Sequence, residues 1–293
     1  MANTRELRRR IKSVKSTAQI TKAMQMVAAT KMRRAQNQAI NGRPYSFNLN
    51  SALERLLPLI QTEAHPLLAG NGSTNIGVVL LTTDKSLCGA LNTNLFRLIT
   101  ASHLTSGNVV FYTVGRKGRN FVAKSGKNLQ ADFENSDTVI FRQAVLLSKL
   151  LMDSYLKKEI GEAYLVYPGF ISTLRQEPAK VKLLPVDLGA IHLPGGVAPA
   201  AHLEGEKSGQ FLFEPDADKM LDYVLVHHIQ IKIYQALLET KASEHSSRMM
   251  AMQNATDNAM ELVDDLKLTY NQTRQSAITN ELLEITTAAL AMN

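Results

Sequence analysis

DADKMLDYVLVHHIQIKIYQALLETKASEHSSRMMAMQNATDNAMELVDDLKLTYNQTRQSAITNELLEITTAALAMN, residues 216–293, runs to the end of the chain without one glycine or proline. A tract with no helix breaker is predicted to form a single helix, and at 1.5 Å rise per residue it reaches roughly 115 Å. No compact domain needs that length for its own core. The other end has the same character, since the first glycine is Gly42 and the first proline Pro44. Two long helical ends therefore bracket a middle that holds all the glycines and prolines. The pattern suggests a shaft carrying a head and favours a mechanical or scaffolding role over a pocket enzyme.

Charge is distributed as unevenly as the helix breakers. Residues 1–43 hold Arg5, Arg8, Arg9, Arg10, Lys12, Lys15, Lys22, Lys31, Arg33, Arg34 and Arg43 against the single acid Glu6. The segment carries +10 while the whole chain carries +7, which leaves −3 on the rest. A cationic helix joined to a mildly acidic body points to an anionic partner: nucleic acid, acidic lipid or acidic protein. The chain has no run of 18 apolar residues to cross a bilayer, so membrane association is expected only through partners. One cysteine, Cys88, excludes an internal disulfide and a multi-cysteine metal cage and fits a reducing compartment.

Periodicity ties the two ends together. Leu7, Ile11, Val14, Ala18, Thr21, Gln25, Ala28, Met32, Ala35 and Ala39 alternate at spacings of four and three, the seam of a coiled coil. Ile20, Met24 and Val27 form a second stripe that widens the apolar face. The helix is expected to break or bend at Asn41-Gly42-Arg43-Pro44 and to resume through Leu49, Leu53, Leu56 and Leu57. In the last tract Met252, Ala255, Ala259, Leu262, Leu266, Thr269, Thr273 and Ser276 alternate likewise, and Ile278, Leu282 and Ile285 continue the spacing. Each stripe is the only long partner available to the other, so an antiparallel coiled coil of residues 1–60 and 214–293 is expected. The Ala, Thr and Ser content of the seam permits close approach and limits apolar burial.

Between the ends, residues 74–186 change period. Ile76–Thr83 reads as a strand buried on both faces, followed by a polar turn, a helix from about Ala90 to Leu104 and a strand at Val109–Val114. Gly115 and Gly118 open a short helix. A longer one is expected over Asp137–Ile160, with Val139, Val145, Leu146, Leu150 and Leu151 inward, and then a third strand at Glu162–Tyr167. Strands alternating with helices predict a Rossmann-like α/β domain with a largely parallel sheet. Residues 187–213 form an irregular connection, rich in Gly, Pro, Ala and His up to about residue 209, and Glu214-Pro215-Asp216 starts the last helix.

Little of this chemistry is catalytic. Gly115-Arg116-Lys117-Gly118 follows a strand but lacks the third glycine of a dinucleotide fingerprint, and no P-loop occurs. His227 and His228 point about 100° apart on a helix and cannot grip one metal together. These two and His245 read as surface or interface residues. Cys88 follows a strand, where a nucleophile can sit, yet only His103 could approach it, by folding, so a packed structural cysteine is expected. Met249, Met250 and Met252 read as core filler or as an adaptable contact surface.

Three segments are more specific. ITKAMQMVAATKMRRAQ at Ile20–Gln36, TDKSLCGALN at Thr83–Asn92, and ASEHSSRMMAMQNATDNA with YNQTRQSAITNELLEI across Ala242–Ile285 resemble the gamma subunit of F-type ATP synthases, in order and over essentially the whole chain. The resemblance implies a central shaft inside a ring of three alpha and three beta subunits, with the α/β domain near the membrane rotor ring of c subunits and beside the epsilon subunit. It implies contacts with the beta subunits at Lys22, Met24, Arg274, Gln275, Thr279 and Glu281, and no catalytic residue, cofactor or metal. Where the family reads Arg-Gly in the central motif, this chain has Lys85-Ser86, and the redox-active cysteine insertion of chloroplast relatives is absent. The family motif begins almost at Met1, so no presequence is expected, and a bacterial protein on the cytoplasmic face of the inner membrane is implied. Two other readings compete: a nucleic-acid-binding protein using the basic N-terminal helix on phosphates, and an α/β enzyme centred on Asp84–Asn92.

Overall fold

A computed structural model describes residues 4–56, 65–102, 104, 108–186 and 217–291. The chain divides into two compact units, residues 29–247 and residues 1–28 with 248–293. Two helices run through both units: α1 (Thr4–Leu56) and, at the other end of the chain, a helix of 75 residues (Ala217–Ala291). Three shorter helices lie between them, α2 (Leu91–Ala101), α3 (Arg116–Lys124) and α4 (Phe141–Leu156), which makes the last one α5.

In the unit of residues 29–247 five strands form one sheet in the order β3-β2-β1-β4-β5. They are β1 (Ile76–Leu81), β2 (Val109–Val114), β3 (Asn128–Phe133), β4 (Glu162–Phe170) and β5 (Gln176–Leu184). The first four are parallel, and β5 closes an antiparallel hairpin on β4. Successive residues of β1 serve opposite faces, as strand geometry requires. Val78 and Leu80 pack with Leu95, Ile99 and Val122 under α2 and α3. Val79 and Leu81 pack with Leu147 and Leu151 of α4, Leu53 of α1, and Leu225 and Ile229 of α5. The terminal helices thus cover one face of the sheet within this unit.

Two strands are additional to those expected. In β3 half-buried Leu129, Ala131 and Phe133 alternate with exposed polar residues over only six positions, and β5 contains Pro178 and three charged residues. Both are edge strands, where one side of the ladder meets solvent and polar residues and proline are tolerated. The expected helix over Asp137–Ile160 is shorter, Phe141–Leu156; of the residues expected inward, Leu151 is buried and Val139 and Val145 are half-buried, whereas Leu146 and Leu150 are exposed and Leu147 is buried instead.

The helix does not break at Pro44. It runs on through Asn41–Pro44, and packing explains why. The acceptor that Pro44 leaves unpaired is the carbonyl of Ile40, a residue 44% exposed, so water reaches that side. On the buried side, Gln235 of α5 donates from Nε2 to the Ala39 carbonyl at 3.0 Å. Gly42 leaves room for that approach: a Cβ there would lie 2.8 Å from Gln235 Oε1, so the glutamine side chain would have to shift. Farther along, Leu49 is half-buried and Leu53 fully buried, while Leu57 lies outside the described residues.

All ten seam positions of α1 are buried or half-buried as expected. The seam of α5 differs from expectation beyond Ala259. Met252, Ala255, Ala259, Leu266 and Thr273 are buried or half-buried, with Thr256 half-buried beside Ala255, but Leu262, Thr269 and Ser276 are exposed and Val263, Tyr270 and Ala277, one residue later, take their places. Val263 is 2% exposed and Leu262 42%. Both sets satisfy a heptad, and only the partner helix selects i+4 over i+3. The second stripe of α1 is only partly covered by the described residues: Ile20 and Val27 are exposed and Met24 half-buried.

The histidines also depart from expectation. His227 is half-buried, with Nε2 2.7 Å from Tyr45 Oη, whereas His228 and His245 are buried. Burial, with a smaller contribution from Lys232, pushes the His228 pKa from 6.5 down to about 3. The folded state therefore keeps His228 neutral while the unfolded chain binds a proton below pH 6.5. Stability is at its full value above pH 6.5 and falls progressively from there towards pH 3. At pH 5 the loss is about 2 kcal/mol. His228→Leu is expected to flatten this slope in urea titrations at pH 5 and pH 7.5, and an unchanged slope would assign the acid sensitivity elsewhere.

Candidate functional site

In the unit of residues 29–247, the C-terminal ends of the parallel strands are where an α/β sheet ordinarily binds a ligand. Here that edge is occupied by the chain itself. The N-terminus of α3, which would attract a phosphate, is already satisfied: the Arg116 amide donates to Asp84 Oδ1 at 2.8 Å, the Lys117 amide to the Thr83 carbonyl at 3.1 Å, and the Gly118 amide to Thr82 Oγ1 at 2.8 Å. Cys88 is buried, with Asn92 Nδ2 donating to its sulfur at 3.4 Å and Thr83 Oγ1 3.8 Å away. His103 lies outside the described residues. The Asp84–Asn92 turn is a packed corner, which fits the structural reading of Cys88.

Strand order reverses between β1 and β4, and the crevice at this switch point is filled by α5. Ser247 Oγ donates to the Cys88 carbonyl at 2.7 Å, Ser246 Oγ to the Thr173 carbonyl at 2.5 Å, and Ser243 Oγ to the Pro168 carbonyl at 2.9 Å. Lys241 Nζ donates to the Asn135 carbonyl at 3.0 Å and pairs with Glu244 at 3.3 Å. Pro168 stands opposite Pro178 in the β4–β5 ladder. Neither ring nitrogen carries a hydrogen, so the serine supplies a donor that the opposite strand cannot. These anchoring residues escaped the reading of periodicity. Their signal was present as a polar run, KASEHSSR, inside a helix whose neighbouring turns are apolar.

The six residues assigned to beta-subunit contacts all fall in the other unit, residues 1–28 with 248–293. Lys22 is exposed and Met24 half-buried, close to the level where Thr21 Oγ1 meets Thr256 Oγ1 at 2.7 Å. Arg274, Gln275, Thr279 and Glu281 are all exposed, and Thr279 Oγ1 donates to the Gln275 carbonyl at 3.0 Å. Arg274 stands 18 residues beyond Thr256, roughly 27 Å along the helix. The structure therefore makes two separate groups of these residues.

Among the described residues no helix covers the second group. Beyond Ala277 every described side chain of α5 is exposed, including Ile278, Leu282, Leu283, Ile285 and Leu290 at 49–76%. The pairing of Thr21 with Thr256 places the start of α1 near the level of Thr273, after which α5 continues unpaired. On α1, Arg5, Arg8, Arg9, Arg10, Lys12, Lys15 and Lys22 are exposed. Among the described residues no group of His, Cys, Asp or Glu is placed to hold a metal, and no helix is long and apolar enough to cross a membrane.

Comparison with known proteins agrees with this arrangement. A sequence model of the family described as ATP synthase matches residues 3–292. The ATP synthase gamma chain of Methylacidiphilum infernorum is 44% identical, with all of both chains covered. Those of Opitutus terrae and Akkermansia muciniphila are 41% and 40% identical, covering 99% and 100% of each chain respectively. Among solved structures, a chain of the Euglena gracilis mitochondrial ATP synthase covers 99% of this chain and 94% of its own, with TM-score 0.67 and 22% identity. A chain of the Tetrahymena thermophila mitochondrial ATP synthase central stalk and c-ring covers 80% of this chain and 99% of its own, with TM-score 0.62 and 23% identity. These likenesses carry the fold, and the full-length identities carry the kinship: the chain belongs to the ATP synthase gamma chain family.

Proposed function

We propose that this chain is the central rotor shaft of an F-type ATP synthase, coupling ion flow through the membrane rotor to the conformational cycle of catalytic beta subunits, and that it carries no catalytic centre of its own. The observation that carries the reading is the end of α5 beyond Ala277, whose apolar and polar side chains no described residue covers and which need a surrounding surface. Its partners are the ring of alpha and beta subunits around the terminal helices, the epsilon subunit, and the ring of c subunits. The helical ends, 1–60 and 214–293, serve as the shaft. The α/β domain, 74–186, sits near the membrane rotor ring. The complex lies on the cytoplasmic face of a bacterial membrane, which this chain touches only through its partners. The filled switch-point crevice supports the absence of catalysis, because a substrate would have to displace part of α5.

Lys22, Met24, Arg274, Gln275, Thr279 and Glu281 form the contact with the beta subunits. Arg274 offers a planar guanidinium to a carboxylate, and a charge-assisted bond of this kind is worth about 1.5–3 kcal/mol. If the bond is stronger in the rate-limiting state than in the ground state, Arg274→Ala slows ATP hydrolysis by the assembled complex roughly 10-fold. The check is hydrolysis and ATP-driven ion pumping by purified complex, with assembly verified by co-purification of the large ATPase subunits. Unchanged hydrolysis and pumping in an assembled variant would remove Arg274 from the mechanism. Failure of the unaltered chain to co-purify with those subunits would remove the rotor reading itself.

A further inference from the structure

We infer that Lys241, Ser243, Ser246 and Ser247 act as a keyed joint that fixes the rotational setting of α5 against the sheet, so that torque passes between them without slip. The inference rests on the rotor reading and names the residues that would make it work. All four are on α5 inside the unit of residues 29–247, and Ser247 is the last residue of α5 in that unit. Each side chain donates to a backbone carbonyl of a different loop or strand end: Asn135 after β3, Pro168 in β4, Thr173 in the β4–β5 turn, and Cys88 after β1.

The angular arrangement gives these bonds their significance. At about 100° per residue, with Lys241 at zero, Ser246 points to about 140°, Ser243 to about 200° and Ser247 to about 240°. The serines form a fan nearly opposite the lysine, so the helix is held from two sides and rotation in either sense breaks bonds on both. Backbone carbonyls are fixed points, unlike the ends of flexible side chains. The sockets are themselves braced. Asn135 Nδ2 donates to the Thr82 carbonyl at 2.6 Å, and Gln176 Nε2 reaches Ser246 Oγ at 3.4 Å. Side chains are also packed here: Ser243 and Ala242 are fully buried. A helix held only by apolar contacts, which are non-directional, can rotate by a small angle at little cost. Directional bonds do not permit this.

The test uses the assembled complex carrying Ser243→Ala, Ser246→Ala and Ser247→Ala together. Each of the loops around Cys88 and Thr173 loses one bond to α5, which raises its open population about 5-fold, read as faster amide exchange there while β1 stays protected. The functional readout is ions pumped per ATP hydrolysed as the opposing ion gradient is raised. The unaltered complex is expected to hold its ratio, and the ratio of the variant to fall with load. Faster exchange with an unaffected ratio would make the serines merely structural and overturn the joint, as would unchanged exchange. Should the triple variant fail to assemble, Ser247→Ala and Ser247→Thr decide: the alanine is expected to lose part of the ratio under load and the threonine, which keeps a hydroxyl, to restore it. A loss that threonine leaves unrestored, or no loss with alanine, overturns the proposal. Absence of any ATP-driven pumping by the unaltered complex would instead overturn the rotor reading, and leaves the exchange result to judge the joint by itself.

Discussion

Gly115→Ala is expected to destabilise the sheet-bearing unit by about 3–5 kcal/mol, the sum of backbone strain and overpacking. Gly115 has φ 99° and ψ 140°, close to a region that essentially only glycine occupies. A Cβ there would also lie 2.4 Å from the Thr82 carbonyl oxygen and 2.9 Å from Thr82 Oγ1. Neither neighbour can move aside. Thr82 Oγ1 donates to the carbonyls of Val114 and Gly115 at 3.0 and 3.2 Å and accepts from the Gly118 amide, so it pins the start of α3 to the end of β1. Urea unfolding followed by far-ultraviolet circular dichroism checks the prediction. A shift of less than about 1 kcal/mol, the size of an ordinary surface substitution or two, would show that the strand-to-helix corner tolerates a side chain. Gly115 is thus required for packing at the strand-to-helix corner.

Ala255→Pro is expected to abolish coupled ion pumping in an assembled complex. Proline inside a helix removes the bond to the carbonyl four residues back and drives its ring into the preceding turn, at about 3 kcal/mol or more. Ala255 is half-buried next to Thr256, in the layer where Thr21 and Thr256 meet at 2.7 Å. A seam built from Ala and Thr has no slack for a pyrrolidine ring, so the kink falls where the helices are closest. Pro44 shows by contrast what makes a helical proline tolerable: an exposed side for the freed carbonyl and Gln235 supporting the buried side. ATP-driven ion pumping is the measurement, with circular dichroism of the purified chain to verify that it folds. Normal pumping by the proline variant would contradict a seam at this level.

Register within α5 bears on both results. Leu262 and Val263 are equally apolar to a reader of sequence, and the heptad is satisfied by either. The structure buries Val263 because Met252, Thr256 and Ala259 present the i+4 set to α1. The same one-residue uncertainty put Leu146 inward in place of Leu147 on α4, although Leu151 is buried as expected. Helical spacing defines a stripe about two residues wide, and the opposing surface chooses its centre.

Long breaker-free ends, their matched three-and-four spacing, and the continuous apolar run of β1 were sufficient by themselves to predict two paired helices around an α/β sheet. These signals are local and repeat over many residues, so single errors average out. The three quoted segments likewise carried the family. What only the tertiary structure decided lies where a residue's role depends on a distant partner. The polar edge strands β3 and β5 become strands by pairing with β2 and β4. His228 and His245, polar in sequence, are buried because α5 is enclosed there on more than one side. The serines of KASEHSSR become anchors because four carbonyls converge on that turn of helix. Hydrogen bonds between residues 75 to 159 positions apart leave no periodic trace in the chain, since their geometry exists only after the sheet has formed.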